Sequence, residues 1–195
     1  MTDVKSPWTS AETKATISIE LENPDAKVYQ LLLLNILGTP GCDKIITTGI
    51  GNKELEKIFG NASYNGKIYL YPVTSYRVPR KPEINNKNVE VPYILPPQIS
   101  DLTRNIPCYI RKIDEMKQKT IAVLDLTEFI KNNPPTPVRE LSSLFISYCD
   151  SNENVRGILT YPHVQDEALK WGTEMYKAKY VSRVKDDELA YERCL

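Results

Sequence analysis

The succession of apolar and polar positions is clearest between Thr120 and Val184. Thr120-Ile-Ala-Val-Leu-Asp-Leu126 is a short run rich in Ile, Val and Leu, which predicts a strand covered on both faces. Asn132-Asn-Pro-Pro135 stops regular structure, because successive prolines remove donors and fix φ. Thr136-Pro137 restarts it as an N-cap followed by a first helical position. From there Val138, Leu141, Leu144, Phe145 and Tyr148 share one face at helical spacing, and Asp150 to Asn154 supplies turn formers. Val155 to Tyr161 is a second strand, ended by Pro162. Val164, Ala168, Trp171 and Met175 recur as a second helix, with Gly172 inside it at a cost of about 1 kcal/mol against Ala. Tyr180 to Val184 then returns to the sheet. Strands joined by helices of this length predict a right-handed crossover and a parallel pair.

Upstream the pattern is more extended. Residues 1–15 are polar and predict an arm, with Trp8 either an anchor on a partner or folded back on its own domain. Thr16 to Glu22 alternates and predicts a half-buried strand, closed by a turn at Asn23-Pro-Asp25. Lys27 to Leu37 is the most apolar segment. It reads first as a buried strand, with a short buried helix as the other reading. After Gly38-Thr-Pro-Gly41, Lys44 to Thr48 is extended, and Leu55, Ile58 and Phe59 mark one or two helical turns. Asn65-Gly66 is a hairpin signal ahead of Lys67 to Tyr71. Residues 16–78 thus read as a mainly β unit.

Residues 79–107 form a proline-rich connection; Val78 to Pro107 holds six of the 14 prolines. Such a stretch exceeds the usual structureless loop and predicts either a linker or an extended arm packed on a partner. Ile106 to Ile113 and Thr120 to Leu126 read as antiparallel strands joined around Asp114 to Lys119. The tail from Lys185 offers Leu189, Ala190 and Leu195 for one helical contact. The fold class is α+β: a β-rich N-terminal half, the proline-rich connection, and a C-terminal β-α-β-α unit over residues 108–195. The two parts can also integrate as one domain.

Composition removes several functions. The 195 residues carry 25 Lys plus Arg against 25 Asp plus Glu. A chain of zero net charge has no global field to steer it onto bare nucleic acid, although local patches remain open. No apolar run approaches a membrane span, and MTDVKSPWTS has no apolar core of a secretion signal. Cys42, Cys108, Cys149 and Cys194 lie far apart without metal spacing, so they read as reduced, largely buried thiols in a cytoplasmic protein. Neither a metal nor a cofactor is expected.

Candidate chemistry is sparse. Gly49-Ile-Gly51-Asn-Lys53 lacks the spacing of a phosphate loop or dinucleotide fingerprint and reads as a strand-to-helix turn. His163 is the single histidine, which excludes multi-His metal sites; after Pro162 it reads as a helix-start residue. Glu115-Met-Lys117, with Asp101 upstream, has the E-x-K spelling that holds Mg²⁺ and positions water in restriction-endonuclease-type nucleases. Glu115, however, falls in a turn. Asp125 and Glu128, at the end of the buried strand, form an alternative acidic pair. Tyr64, Tyr69, Tyr71 and Tyr76 interleave with Arg77, Arg80 and Lys81, a pattern that suits sheet packing, a protein interface, or stacked bases with phosphates. Trp8 joins these as an interface candidate.

Enrichment in Ile, Tyr, Lys and Glu with only four Gln has a hyperthermophile flavour, which abundant Asn opposes. In size, neutral charge, sparse motifs and this flavour the chain resembles the Sulfolobales-specific seventh, accessory subunit of the Cmr type III-B CRISPR effector. That resemblance implies an archaeal homodimer without known catalytic residues, attached to an RNA-guided complex in antiviral defence. The expectation is therefore a non-catalytic, dimeric interaction subunit of a nucleic-acid-processing ribonucleoprotein, touching nucleic acid indirectly if at all. The alternatives are a divergent metal-dependent nuclease and a stand-alone RNA- or DNA-binding domain.

Overall fold

The protein is described by a computed structural model over residues 6–9, 16–22, 25–60, 64, 66–75, 80–100, 105–163 and 179–194. The β-formers of the sequence gather into one eight-stranded sheet. In chain order its elements are β1 (Ile17–Leu21), α1 (Ala26–Leu37), β2 (Asp43–Thr48), α2 (Asn52–Gly60), β3 (Ile68–Pro72), β4 (Val89–Glu90) and α3 (Cys108–Asp114). There follow β5 (Thr120–Asp125), α4 (Thr127–Asn132), α5 (Pro135–Ser151), β6 (Val155–Pro162), β7 (Lys179–Lys185) and β8 (Glu188–Cys194). Spatially the strands run β4-β3-β2-β5-β6-β1-β7-β8. Every pairing is parallel except β7 with β8. The stretches before and after the proline-rich segment contribute strands to the same sheet.

Parallel strands need cover on both faces, and helices supply it. Val28, Leu32, Leu33 and Ile36 of α1 and Leu55, Ile58 and Phe59 of α2 pack on one face with Ile46, Ile121 and Ile158. On the other, Tyr109, Ile110 and Ile113 of α3, Phe129 of α4, and Val138, Leu141 and Phe145 of α5 pack with Ile45, Ala122, Leu124 and Leu159. The expected strand pair over residues 120–126 and 155–161 is present, parallel, with Ala122 opposite Gly157. The helix between them starts at Pro135, one residue before Thr136, and is preceded by the short α4.

Several elements differ from the reading of the sequence. Lys27 to Leu37 is helical rather than a buried strand. The Asp25 carboxylate accepts from the Val28 amide at 2.9 Å and caps it, and leucine is a strong helix former. The apolar Leu31 and Leu34 hid the stripe, yet Leu34 is 42% exposed while Val28, Leu32 and Ile36 are buried. Residues 16–78 therefore alternate strand and helix. Thr16 to Glu22 is a central strand with Ser18 buried as fully as Ile17 and Ile19, not a half-buried one. The hairpin signal at Asn65-Gly66 is not followed by antiparallel pairing: β2 and β3 are parallel and joined through α2, and Asn65 itself lies outside the described residues. Gly66 (φ 98°) instead lets two backbones meet, since a Cβ there would sit 2.6 Å from the Cys42 carbonyl oxygen.

Ile106 to Ile113 contains α3 rather than a strand. Tyr109, Ile110 and Ile113 are all buried, and positions i, i+1 and i+4 share one face on a helix but not on a strand. The tail is strand β8, turned back on β7 at Asp186 and Asp187, both at positive φ (50° and 62°). Leu189 and Tyr191 alternate inward along it. The helix expected over residues 164–175 lies outside the described residues. Among the described residues, no helix is long and apolar enough to cross a membrane.

Candidate functional site

In an open α/β sheet the crevice lies at the carboxyl ends of neighbouring strands whose outgoing connections leave on opposite faces. Here that condition holds for β2 and β5. β2 continues into α2 on one face, and β5 continues into α4 and α5 on the other. The residues meeting there are Gly49 after β2, Asp125 at the last position of β5, and Thr127 and Glu128 at the start of α4.

Asp125 is 4% exposed. Its Oδ1 accepts from the Thr127 amide at 3.1 Å, the Thr127 hydroxyl at 2.7 Å and the Thr160 hydroxyl at 3.5 Å. Oδ2 accepts from the Gly49 amide at 3.4 Å. Burial raises the Asp125 carboxyl above its ordinary value, against the opposing pull of the Thr127 and Gly49 donors. The Tyr29 hydroxyl reaches down from α1 to the Thr127 hydroxyl. Since Thr127 donates to Asp125, Tyr29 is the donor in that contact, and the three groups form a relay Tyr29–Thr127–Asp125. Burial, then the Asp125 charge, pushes the Tyr29 phenol up. Glu128 lies over Gly49, where a Cβ would be only 2.3 Å from its Cγ, and its carboxylate pairs with Lys131 at 2.8 Å. The protein's own side chains fill this crevice.

The turn Gly49 to Lys53 connects β2 to α2, as its sequence predicts. At the neighbouring β1–α1 turn, the place nearest the positive end of α1 is taken by the Asp25 carboxylate. An intrinsic anion there leaves no vacancy for a phosphate.

The acidic candidates separate. Glu115 follows the C-terminus of α3, paired with Lys112 at 2.8 Å, and Lys117 is exposed in the loop entering β5. Both stand at the amino end of β5, whose length places them about 17 Å from Asp125. Asp125 and Glu128, by contrast, are brought together. Asp101 lies outside the described residues. Among the described residues no group of three or more His, Cys, Asp and Glu could hold a metal ion.

The interface candidates are largely absorbed by the fold. Trp8 is 2% exposed, edge-on to Tyr191 with ring centroids 5.3 Å apart, and its Nε1 donates to the Thr39 hydroxyl at 2.8 Å. Tyr71 is buried beside Tyr109. Tyr69, on the same face, lies under the Lys112 ammonium, 4.4 Å from the ring centroid. Tyr64 is buried with its hydroxyl on the Ile58 carbonyl. Arg80 pairs with Glu83, and Lys81 donates to the Val91 and Pro92 carbonyls at 2.8 and 3.2 Å. These two cations thereby pin the proline-rich stretch to itself. Tyr76 and Arg77 lie outside the described residues. His163 meets Glu20 just past β6.

Sequence reasoning missed Tyr29 and Thr127. Tyr29 sits in a run read as strand, and no local signal ties it to a residue far along the chain. A second cavity, of about 330 Å³, opens between α3, α4 and α5, lined by Leu95, Ile99, Ile106, Tyr109, Phe129 and Leu141 among others.

No family model matches the chain, and no curated protein does. A solved structure of the Pyrococcus horikoshii OT3 protein PH0250 is similar in fold, with a TM-score of 0.50 and 13% identity. The match covers 90% of this chain and 84% of that one. Likeness at that identity concerns the arrangement of the sheet and helices alone.

Proposed function

We propose that the chain is a non-catalytic, dimeric interaction subunit of a nucleic-acid-processing complex, acting in the cytoplasm of an archaeon. The observation that carries the reading is the self-filled crevice. The place where open α/β sheets take substrates is occupied by the Tyr29–Thr127–Asp125 relay and by Glu128 over Gly49. An Asp125 engaged by four donors has little left for a metal or a water. The resemblance to the accessory subunit of the Cmr effector supports the assembly side of the reading, including a place in RNA-targeting antiviral defence.

Native mass by light scattering, followed by affinity isolation from the source cells, tests this. The expected result is a species of about 45 kDa, twice the 22.3 kDa chain, co-purifying with a ribonucleoprotein. A monomer that isolates alone would remove the subunit reading. Cleavage of RNA or DNA with Mg²⁺ or Mn²⁺ that is lost in Asp125→Asn or Glu128→Gln would replace it with the nuclease.

A further inference from the structure

At the opposite, amino edge of the sheet lies a polar recess of about 380 Å³ whose lining includes Asp43, Lys67, Asn88, Gln118 and Lys119. It is built from the points at which successive strands begin. The Asp43 amide donates to the Lys119 carbonyl at 2.9 Å, the Lys44 amide to the Lys67 carbonyl at 2.9 Å, and the Ile68 amide to the Asn88 carbonyl at 2.8 Å. Lys119, Lys67 and Asn88 therefore stand at the entrances of β5, β3 and β4. With strands about 4.8 Å apart, the backbones of Lys119 and Lys67 are about 10 Å apart across β2. Lys117 and Lys87 are exposed on the same entering loops.

Among the described residues, none of Lys67, Lys87, Lys117 and Lys119 has an ion pair with a carboxylate. The one carboxylate among the described residues lining the recess, Asp43, is buried. It is engaged by the Lys67 amide at 2.8 Å and by the Gln118 side-chain amide. Glu115, exposed on the loop that carries Lys117, is itself paired with Lys112 at 2.8 Å.

We propose that this edge binds the phosphodiester backbone of a single-stranded nucleic acid. All four cations are lysines. Lysine binds phosphate as a compact, mobile point charge, which suits contacts along a backbone more than one fixed bidentate geometry. A row of charges along strand entrances suits a ligand whose own charge repeats, and a concave recess suits a single strand better than a stiff duplex. The surface is separate from the crevice and from the Arg80–Lys81 region, and it needs no larger assembly to act.

The test is fluorescence anisotropy of the full chain with a labelled single-stranded RNA of about 12 nucleotides, titrated at several salt concentrations from about 50 mM upward. Four phosphate contacts at roughly 0.7 each predict that log K falls against log salt with a slope of about −3. The K67Q/K87Q/K117Q/K119Q variant is expected to weaken binding by roughly tenfold or more, while R80Q/K81Q binds as the parent does. Circular dichroism establishes that the fourfold variant is folded; if it is not, K87Q and K117Q singly carry the test, each flattening the slope by about 0.7. The proposal is overturned by no binding in low salt, by unchanged binding in the fourfold variant, or by loss in R80Q/K81Q instead. Preference for duplex, or displacement by inorganic phosphate at constant ionic strength, overturns it equally and points to a different ligand.

Discussion

The hydroxyl of Tyr29 on α1 bonds the hydroxyl of Thr127 at the start of α4, across 98 residues of sequence. Because Thr127 also holds the buried Asp125, this contact clamps helices from both faces of the sheet onto one carboxyl.

The clamp sets unequal costs. Tyr29→Phe removes one neutral hydrogen bond, and about 1 kcal/mol of stability is expected to go with it. Thr127→Val removes a donor from a buried carboxyl and strands the Tyr29 hydroxyl, so about 2–3 kcal/mol is expected. Urea unfolding of both variants and the double variant measures this, with the double costing less than the sum of the singles. Equal single costs would show that the relay does not run through Thr127.

Asp125 gives stability a pH dependence of unusual sign. A carboxyl whose folded pKa lies above its unfolded value binds more protons in the native state. Its contribution is complete below the unfolded value, near 3.8, and declines as pH rises from there through the raised folded pKa. Asp125→Asn is expected to lower stability overall, because an amide nitrogen must face some of the same donors, yet to remove this decline. Urea midpoints across the acid-to-neutral range distinguish the two effects; a slope identical to the parent's would mean another group titrates.

Gly49→Ala places a methyl against Glu128 Cγ, at 2.3 Å before relaxation. Overpacking of this kind costs about 1–3 kcal/mol. Glu128→Ala should recover most of the loss in the double variant, measured by thermal unfolding. A double variant no better than Gly49→Ala would mean that backbone, rather than Glu128, resists the methyl.

Tyr109 is buried with no partner for its hydroxyl among the described residues. Leaving such a group unpaired costs about 1–3 kcal/mol. Tyr109→Phe is therefore expected to keep or raise the melting temperature, and a clear drop would reveal a hydrogen bond that the phenol makes in solution.

Legibility followed the range of the interaction. The β5–α5–β6 region, apart from the short α4, was readable because runs such as Thr120 to Leu126, and the Val138–Leu141–Phe145 stripe, state their own burial. The Gly49–Lys53 turn and the proximity of Asp125 to Glu128 were readable for the same reason, being local in sequence. The reading failed where a segment's pattern fitted two periods, as in α1, and where a helix of seven residues, α3, is too short to show its period. It failed also where a strong local signal was overruled, as at Asn65-Gly66, where crossover by α2 determines the pairing.

By itself, the sequence determined a mixed helix-and-strand chain with buried parallel strands in its C-terminal part, an acidic pair at one strand end, and zero net charge. Tertiary structure alone decided the strand order and the helical state of Lys27 to Leu37. It also decided the burial of Trp8 and Tyr71, the closing of the crevice by Tyr29, and the gathering of Lys67, Lys87, Lys117 and Lys119 on one edge. The physical reason is that periodicity records which faces of an element avoid water. Parallel pairing and the meeting of strand ends depend on contacts between segments far apart in the chain, which no local pattern carries.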